Sequence, residues 1–198
     1  PEACGATEGC DGGACVSLCA LAEQSPRSQG CSFFARTMDN YYAVMADSVI
    51  VGNAHASKAA TVQLYVHKNG AEQPVGAPIE VPAGAVHDFQ LTEPEIDSAS
   101  ELRANGAYRV ASDLPIVAYQ HAPRGAQLTN DASMLLPESA LAKNYVIASA
   151  REGTLHKNHR SYFVVIPTTD DTTVTWTPPV DTIAGTGVPA VKAGQQGQ

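Results

Sequence analysis

The sequence predicts an all-β fold, an antiparallel Greek-key β-sandwich, and three observations carry that prediction. From residue 31 onward, short apolar runs recur in which side chains alternate with polar ones, the period-two signature of strands with one covered face. Glycine, proline, asparagine and aspartate punctuate these runs at close intervals, as turns between antiparallel strands require. Helical periodicity is weak throughout. With 198 residues and 44% hydrophobic side chains, the chain is long enough to bury a core of one large β domain or two small ones.

The lead-in, residues 1–31, is different. It holds all five cysteines, Cys4, Cys10, Cys15, Cys19 and Cys31, among glycine, serine and acidic residues. Such a segment cannot build an apolar core, and cross-links are the usual substitute. Zinc is the competing reading, but the spacings lack a repeated C-x2-C pair and no histidine sits among them. Disulfides are therefore expected, with one thiol left over from the odd count, and with them an oxidising compartment: secreted or cell-surface. Cys19 is expected to pair with Cys31, which opens the first strand and must be tied to something nearby. A short helical turn is expected near residues 18–22.

Strands follow in order. Residues 32–36 are short and aromatic. Residues 47–52 (DSVIVG) form a nearly continuous apolar run, as in a strand covered on both faces. Residues 60–67 alternate cleanly, Val62, Leu64 and Val66 against Thr61, Gln63 and Tyr65. Residues 79–81 and 86–91 flank a Pro82-Ala83-Gly84 turn, and the polar stretch 92–106 reads as loop. The stretch 107–137 is the centre of the pattern. It reads as a strand through Tyr108 and Val110, a short link at Ser112 to Pro115, and a second strand at 116–119. A polar loop at 121–131 then leads to a third short apolar run at 134–136. Residues 135–143 are the best helix candidate, one or two turns at most, with Ser139 as a cap.

After Pro137 the order begins again: residues 145–148 stand where 32–35 stood, 162–166 match 48–51, and 172–177 match 60–65. Val191-Lys192-Ala193-Gly194 repeats Val81-Pro82-Ala83-Gly84, and Val62 to Gly84 is 22 positions where Val174 to Gly194 is 20. Internal duplication accounts for this. The division expected is a cysteine-rich lead-in at 1–31, a first β-sandwich repeat at 32–137 and the start of a second at 144–198. The second copy stops soon after its glycine, so the segment is expected to end within a domain, leaving a sheet edge open to another chain. Starting at Pro1 instead of Met, it is also expected to have lost residues upstream.

Composition narrows the function. A formal charge of −8 and a pI near 5.1 speak against a nucleic-acid partner, which needs a basic footprint. No apolar run approaches the length of a membrane helix. For nucleophilic hydrolysis there is no G-x-S-x-G elbow around Ser133, and His55, His67, His87 and His121 are dispersed. His156 and His159 lie three apart, but in a polar loop with Lys157 and Arg160. Asp39-Asn40, Asn130-Asp131 and Asp170-Asp171 are oxygen-bearing pairs at loop positions where calcium would bind, yet none has the spacing of a dedicated loop, and turn chemistry explains them without an ion. Trp176 shares a face with Val174, which suits sheet packing better than a sugar platform.

The succession CSFFARTMDN, DSVIVGN, IEVPAG, AYRVASDLPIVAYQ, TNDASMLLP, NYVIAS and SYFVVIPTTDDTTVTWTP resembles the N-terminal domain of the IgGFc-binding protein family. It looks like the family's bacterial, secreted form of myxobacterial type, and the resemblance runs over about residues 15 to 198. It implies an extracellular, non-enzymatic module of a larger surface or matrix protein, with no catalytic residues or cofactor to carry over. Antibody binding is not implied, because the family offers no binding residues that can be placed on this chain. The expected function is therefore adhesion, binding or assembly with a protein or glycan partner. A fibre subunit working by strand addition is one alternative, and a secreted metal-dependent or Ser/His hydrolase is another.

Overall fold

The computed structural model describes residues 4–24, 27–39, 46–94, 100–124, 131–149 and 161–198. Within them lie β1 (Glu8–Asp11), β2 (Ala14–Ser17), α1 (Leu18–Glu23), β3 (Gly30–Ala35), β4 (Ser48–Gly52), β5 (Ala60–Lys68), β6 (Ala71–Pro74), β7 (Ile79–Val81), β8 (Val86–Gln90), β9 (Tyr108–Ala122) and β10 (Asp131–Met134). A single 3-10 turn follows at Glu138–Ala140. The fold is mostly antiparallel β. β1 and β2 make a hairpin of their own, and the other eight strands join in one sheet.

β9 organises that sheet. Its 15 residues alternate on either side of a break at Ser112. Tyr108, Val110, Leu114, Ile116, Ala118 and Gln120 are buried, and Arg109, Asp113 and Tyr119 look outward. β3 and β5 flank its first half, where Val110 stands opposite both Phe33 and Leu64. β4 and β10 flank its second half, where Tyr119 stands opposite both Ile50 and Met134. β8 extends the sheet beyond β4, while β6 and β7 extend it beyond β5. The sheet curls into a half-barrel around a core that includes Phe33, Val49, Val51, Val62, Leu64 and Val81.

The link expected at Ser112 to Pro115 is instead part of β9. Gly30 pairs with Ile116 and Ser32 with Ala111, so four residues of β9 stand against Cys31 alone. A bulge of this kind bends a strand without ending it. Pro115 has no N–H to give a neighbour, and it is tolerated because β5 has left β9 at Ser112 and β4 joins only at Val117. Asp113 is occupied there too, accepting Thr61 N at 2.8 Å and Thr61 Oγ1 at 2.9 Å. Because one bent strand serves both halves, the described residues form a curled half-barrel sheet, with β3, β5, β6 and β7 on one half and β4, β8 and β10 on the other; a full Greek-key arrangement is not seen among them.

Two hairpins went unread in the sequence. Gly12 and Gly13 (φ 57° and 89°) turn β1 into β2, and Asn69 and Gly70 (φ 55° and 77°) turn β5 into β6. Both are two-residue turns with positive φ throughout, the kind whose twist matches antiparallel strands. α1 is where a helical turn was expected, capped by Ser17, whose Oγ accepts Ala20 N at 3.0 Å. The helix expected at 135–143 is only the 3-10 turn, and its cap position is Pro137 with no side-chain bond, not Ser139. β4 buries Val49 and Val51 on one face, while on the other Ser48 is buried and Ile50 and Gly52 are partly exposed.

The strands expected at 145–148, 162–166 and 172–177 do not form. These residues enter only one isolated bridge, Trp176 with Gly197. The two glycine turns do share a geometry. Ala85 N donates to Pro82 O and Gln195 N to Lys192 O, each at 3.0 Å, around Gly84 (φ 72°) and Gly194 (φ 73°). Their surroundings differ. Val81 pairs with Ala60 of β5, whereas the Val191 carbonyl accepts Thr182 N. The likeness between the two halves is thus local, and a paired second sheet is absent among the described residues.

Candidate functional site

The outer face of β8, β4, β9 and β10 exposes several apolar side chains. Antiparallel partners share a face, and register sets Val86, Gly52 and Val117 in one row and Asp88, Ile50, Tyr119 and Met134 in the next. Gly52 lets its neighbours close over it: a Cβ would lie 3.1 Å from Val117 Cγ2 and 3.7 Å from Val86 Cγ1. Val86 is 71% exposed, Met134 47% and Tyr119 40%, and Leu136 just beyond β10 is exposed as well. The rim of this apolar face carries the Asp88–Arg124 ion pair.

A second exposed feature lies in residues 145–147 and 162–166. Tyr145, Val146, Ile147, Tyr162, Phe163 and Val165 all stand open to solvent. Tyr162 Oη donates to the Asp39 carbonyl at 2.7 Å, which holds this stretch near the loop after β3. Its residue types are those of a strand, aromatic and β-branched, and Phe163 to Val165 pair with no strand among the described residues.

The amino-terminal hairpin is tied in by two disulfides, Cys4–Cys15 and Cys19–Cys31, and Cys10 is free and exposed. The Cys19–Cys31 pairing is the one expected. It fastens α1 to β3 at the bulge, where Cys19 Sγ also lies 3.6 Å from the Ser112 carbonyl. Beside it a shallow cleft of about 350 Å³ is lined by Glu23, Cys31, Ser32, Pro137, Glu138 and Ser139. The buried Ser32 Oγ has no hydrogen-bond partner among the described residues. Its lining holds two carboxylates, Glu23 and Glu138, and no histidine.

The candidates for chemistry do not converge. Ser133 stands opposite Gln120, and His121 opposite Ala132, so Ser133 and His121 project from opposite faces. His55 Nδ1 accepts the backbone N–H groups of Ser57 and Lys58. His67 Nδ1 lies 3.1 Å from the Ala104 carbonyl, and His87 packs edge-on to Phe89 at 4.6 Å. Among the described residues no group of three or more His, Cys, Asp or Glu could hold a metal ion. Among the calcium candidates, Asp131 opens β10 and Asp171 sits in a turn. Asp131 Oδ1 accepts Ala132 N at 2.7 Å, and Asp171 takes a positive φ of 56° beside the Thr172–Thr169 hydrogen bond. Asn40, Asn130, His156, His159, Lys157 and Arg160 lie outside the described residues. Trp176 packs over Gly197, where a Cβ would lie 2.9 Å from the indole and 2.4 Å from Val191; packing, not an open platform, is its role.

The charged groups that are buried hold loops in place. Arg36 Nη1 donates to the Asn105 carbonyl at 3.0 Å and Nη2 to the Pro94 carbonyl at 3.3 Å. Burial, and then the neighbouring Arg103, lower its pKa. Tyr108 Oη accepts both Thr92 N and Glu93 N at 2.8 Å. On the outside, Arg109 makes a two-pronged bond to Glu72, both contacts 2.6 Å, and lies 4.9 Å over the Tyr65 ring. That hydrogen bonding holds the Glu72 carboxyl below its ordinary value.

With this geometry in place, the relatives can be weighed. A family model described as IgGFc binding protein matches residues 131–198. The match begins at β10 and covers the exposed stretches at 145–147 and 162–166. It leaves out the first 130 residues, over which the sequence resemblance also ran, and it says nothing of the source organism. No curated protein matches the chain. A solved structure described as "Crystal Structure of Thermotoga maritima 1070" is similar at 13% identity, over 55% of this chain and 95% of that one, with a TM-score of 0.36. That likeness is too slight to inform fold or function. The two disulfides, together with the family match, are consistent with an oxidising, extracellular-type setting.

Proposed function

We propose that the chain is a non-enzymatic module of a secreted or cell-surface protein, serving adhesion or assembly by holding other protein chains. The observation that carries this reading is the strand-forming stretch at 163–165, exposed at Phe163 and Val165, inside the region matched by the IgGFc binding protein model. Strand formers without a sheet bury their apolar face and satisfy their backbone when another strand is added beside them. The apolar outer face around Tyr119 and Met134 offers a second contact region of the same kind.

Sedimentation over a concentration series from about 1 μM to about 1 mM tests the self-associating form of this reading. Reversible association is expected, weakened at least about tenfold by Phe163→Lys with Val165→Lys. A single monomeric boundary throughout rejects assembly by strand addition between copies.

A further inference from the structure

Three of the five cysteines share one surface. In the β1–β2 hairpin, Cys10 stands directly opposite Cys15, and Gly9 opposite Val16. The Gly9–Val16 side faces α1: a Cβ on Gly9 would lie 2.7 Å from Leu21 Cδ1 and 3.2 Å from Leu18 Cδ2. Cys10 and Cys15 therefore project from the other side, and both are exposed. Cys15 carries a disulfide to Cys4, with 5.4 Å between their Cα atoms, while Cys10 keeps its thiol.

The register has chemical consequences. The turn is two residues, so Asp11 and Ala14 form the hydrogen-bonded pair that closes it. The next pair, Cys10 with Cys15, is then the closely spaced kind, with Cα atoms about 4.5 Å apart. That separation lies at the near end of what a disulfide spans, about 4.4 to 6.8 Å. Cys15 thus has two cysteines within bonding reach, one of them already bonded and the other a thiol.

We propose that the hairpin is a thiol–disulfide exchange site in which Cys4 and Cys10 compete for Cys15. The Cys10 thiolate attacks Cys15 Sγ, the new Cys10–Cys15 bond forms as the Cys4–Cys15 bond breaks, and the electron pair leaves on the Cys4 sulfur. Cys10 has lost a proton and Cys4 gains one. One disulfide is exchanged for another, so no oxidant or reductant is consumed. In the first form the hairpin presents a thiol on β1. In the second it presents one on the leading segment, released from its tie to β2 and open to a disulfide-bearing protein partner. Gly5, whose N donates to Glu8 Oε2 at 2.8 Å, lies within the segment that is released.

Alkylation under acid quench followed by non-reducing peptide mapping reads the exchange directly. Glu8 separates Cys4 from Cys10 and Asp11 separates Cys10 from Cys15, so cleavage at acidic residues resolves all three. The chain is incubated with a catalytic amount of glutathione near neutral pH before the quench. Both Cys10 and Cys4 are expected to be alkylated in the natural sequence, with Cys4 labelling at least about tenfold above that in Cys10→Ser, where no attacking thiol remains. Cys4→Ser, first treated with excess oxidised glutathione as the two-electron oxidant, is expected to form Cys10–Cys15 and leave neither sulfur open to alkylation. Cys4 labelling no greater in the natural sequence than in Cys10→Ser overturns the proposal, and so does a Cys4→Ser chain in which Cys10 and Cys15 both alkylate.

Discussion

Asp47 sits almost wholly out of water just before β4, its Oδ2 accepting Met38 N at 2.7 Å. Burial raises its pKa above the ordinary carboxylate value, against the opposing pull of that bond and of the Gln120 amide. The native chain thus binds this proton more tightly than the unfolded chain does. Stability from this group is greatest at low pH and falls as pH climbs from the ordinary carboxylate range through the raised value. Asp47→Asn removes the titration and keeps the shape. Its stability relative to the natural sequence is expected to improve between about pH 3 and about pH 6, read as the shift in urea midpoint at each pH. A difference that stays constant over that range would sink the idea. The same residue shows where sequence reading stops: Asp47 was read only as part of an apolar run, and the fold shows the bond that holds its carboxylate.

At the scale of elements, the parts legible in advance were those decided by local pattern. β5 came through because its alternation is complete. Val62, Leu64 and Val66 face the core, and Thr61, Gln63 and Tyr65 do not. α1 and the Cys19–Cys31 bridge were legible for a similar reason, since cysteines close in sequence have few partners to choose from. The two hairpin turns were also legible in principle, as Asn69-Gly70 and Gly12-Gly13 are the residues such turns demand, although β6 is polar and exposed along its whole length. β9 was not. Ser112-Asp113-Leu114-Pro115 reads as a turn by composition, and its continuity depends on which neighbours leave and join there. The bridge at that point should matter for stability. Replacing Cys19 and Cys31 together by serine is expected to cost about 2–4 kcal/mol, measured by denaturant unfolding. A loss below about 0.5 kcal/mol would show that α1 needs no covalent tie to the bulge.

Taken whole, the molecule departs most from its sequence pattern in the second half. Residues 162–166 have the composition of a strand, yet alternation fixes only which face is apolar. Pairing needs a neighbour in register, and the described residues supply none. The candidate surface was legible only in outline for the same reason. No single residue of the face around Tyr119 is unusual, and it becomes a surface only when β8, β4, β9 and β10 set Val86, Ile50, Val117 and Met134 in rows. The absence of a G-x-S-x-G elbow and the scatter of the histidines, by contrast, could be read directly, and among the described residues Ser133 and His121 do point apart.

The bent strand at the centre also governs how the molecule can open. Since one unbroken run of backbone is laced into both halves, neither can fray completely while the other stays intact, and partial opening is confined to the rims. Amide exchange in native conditions should then show the central rungs of β9, Val110 and Ala118 among them, slowing together and vanishing together, with β6 and β10 exchanging far sooner. Two separate plateaus for those rungs would mean that the bulge is a seam along which the fold comes apart.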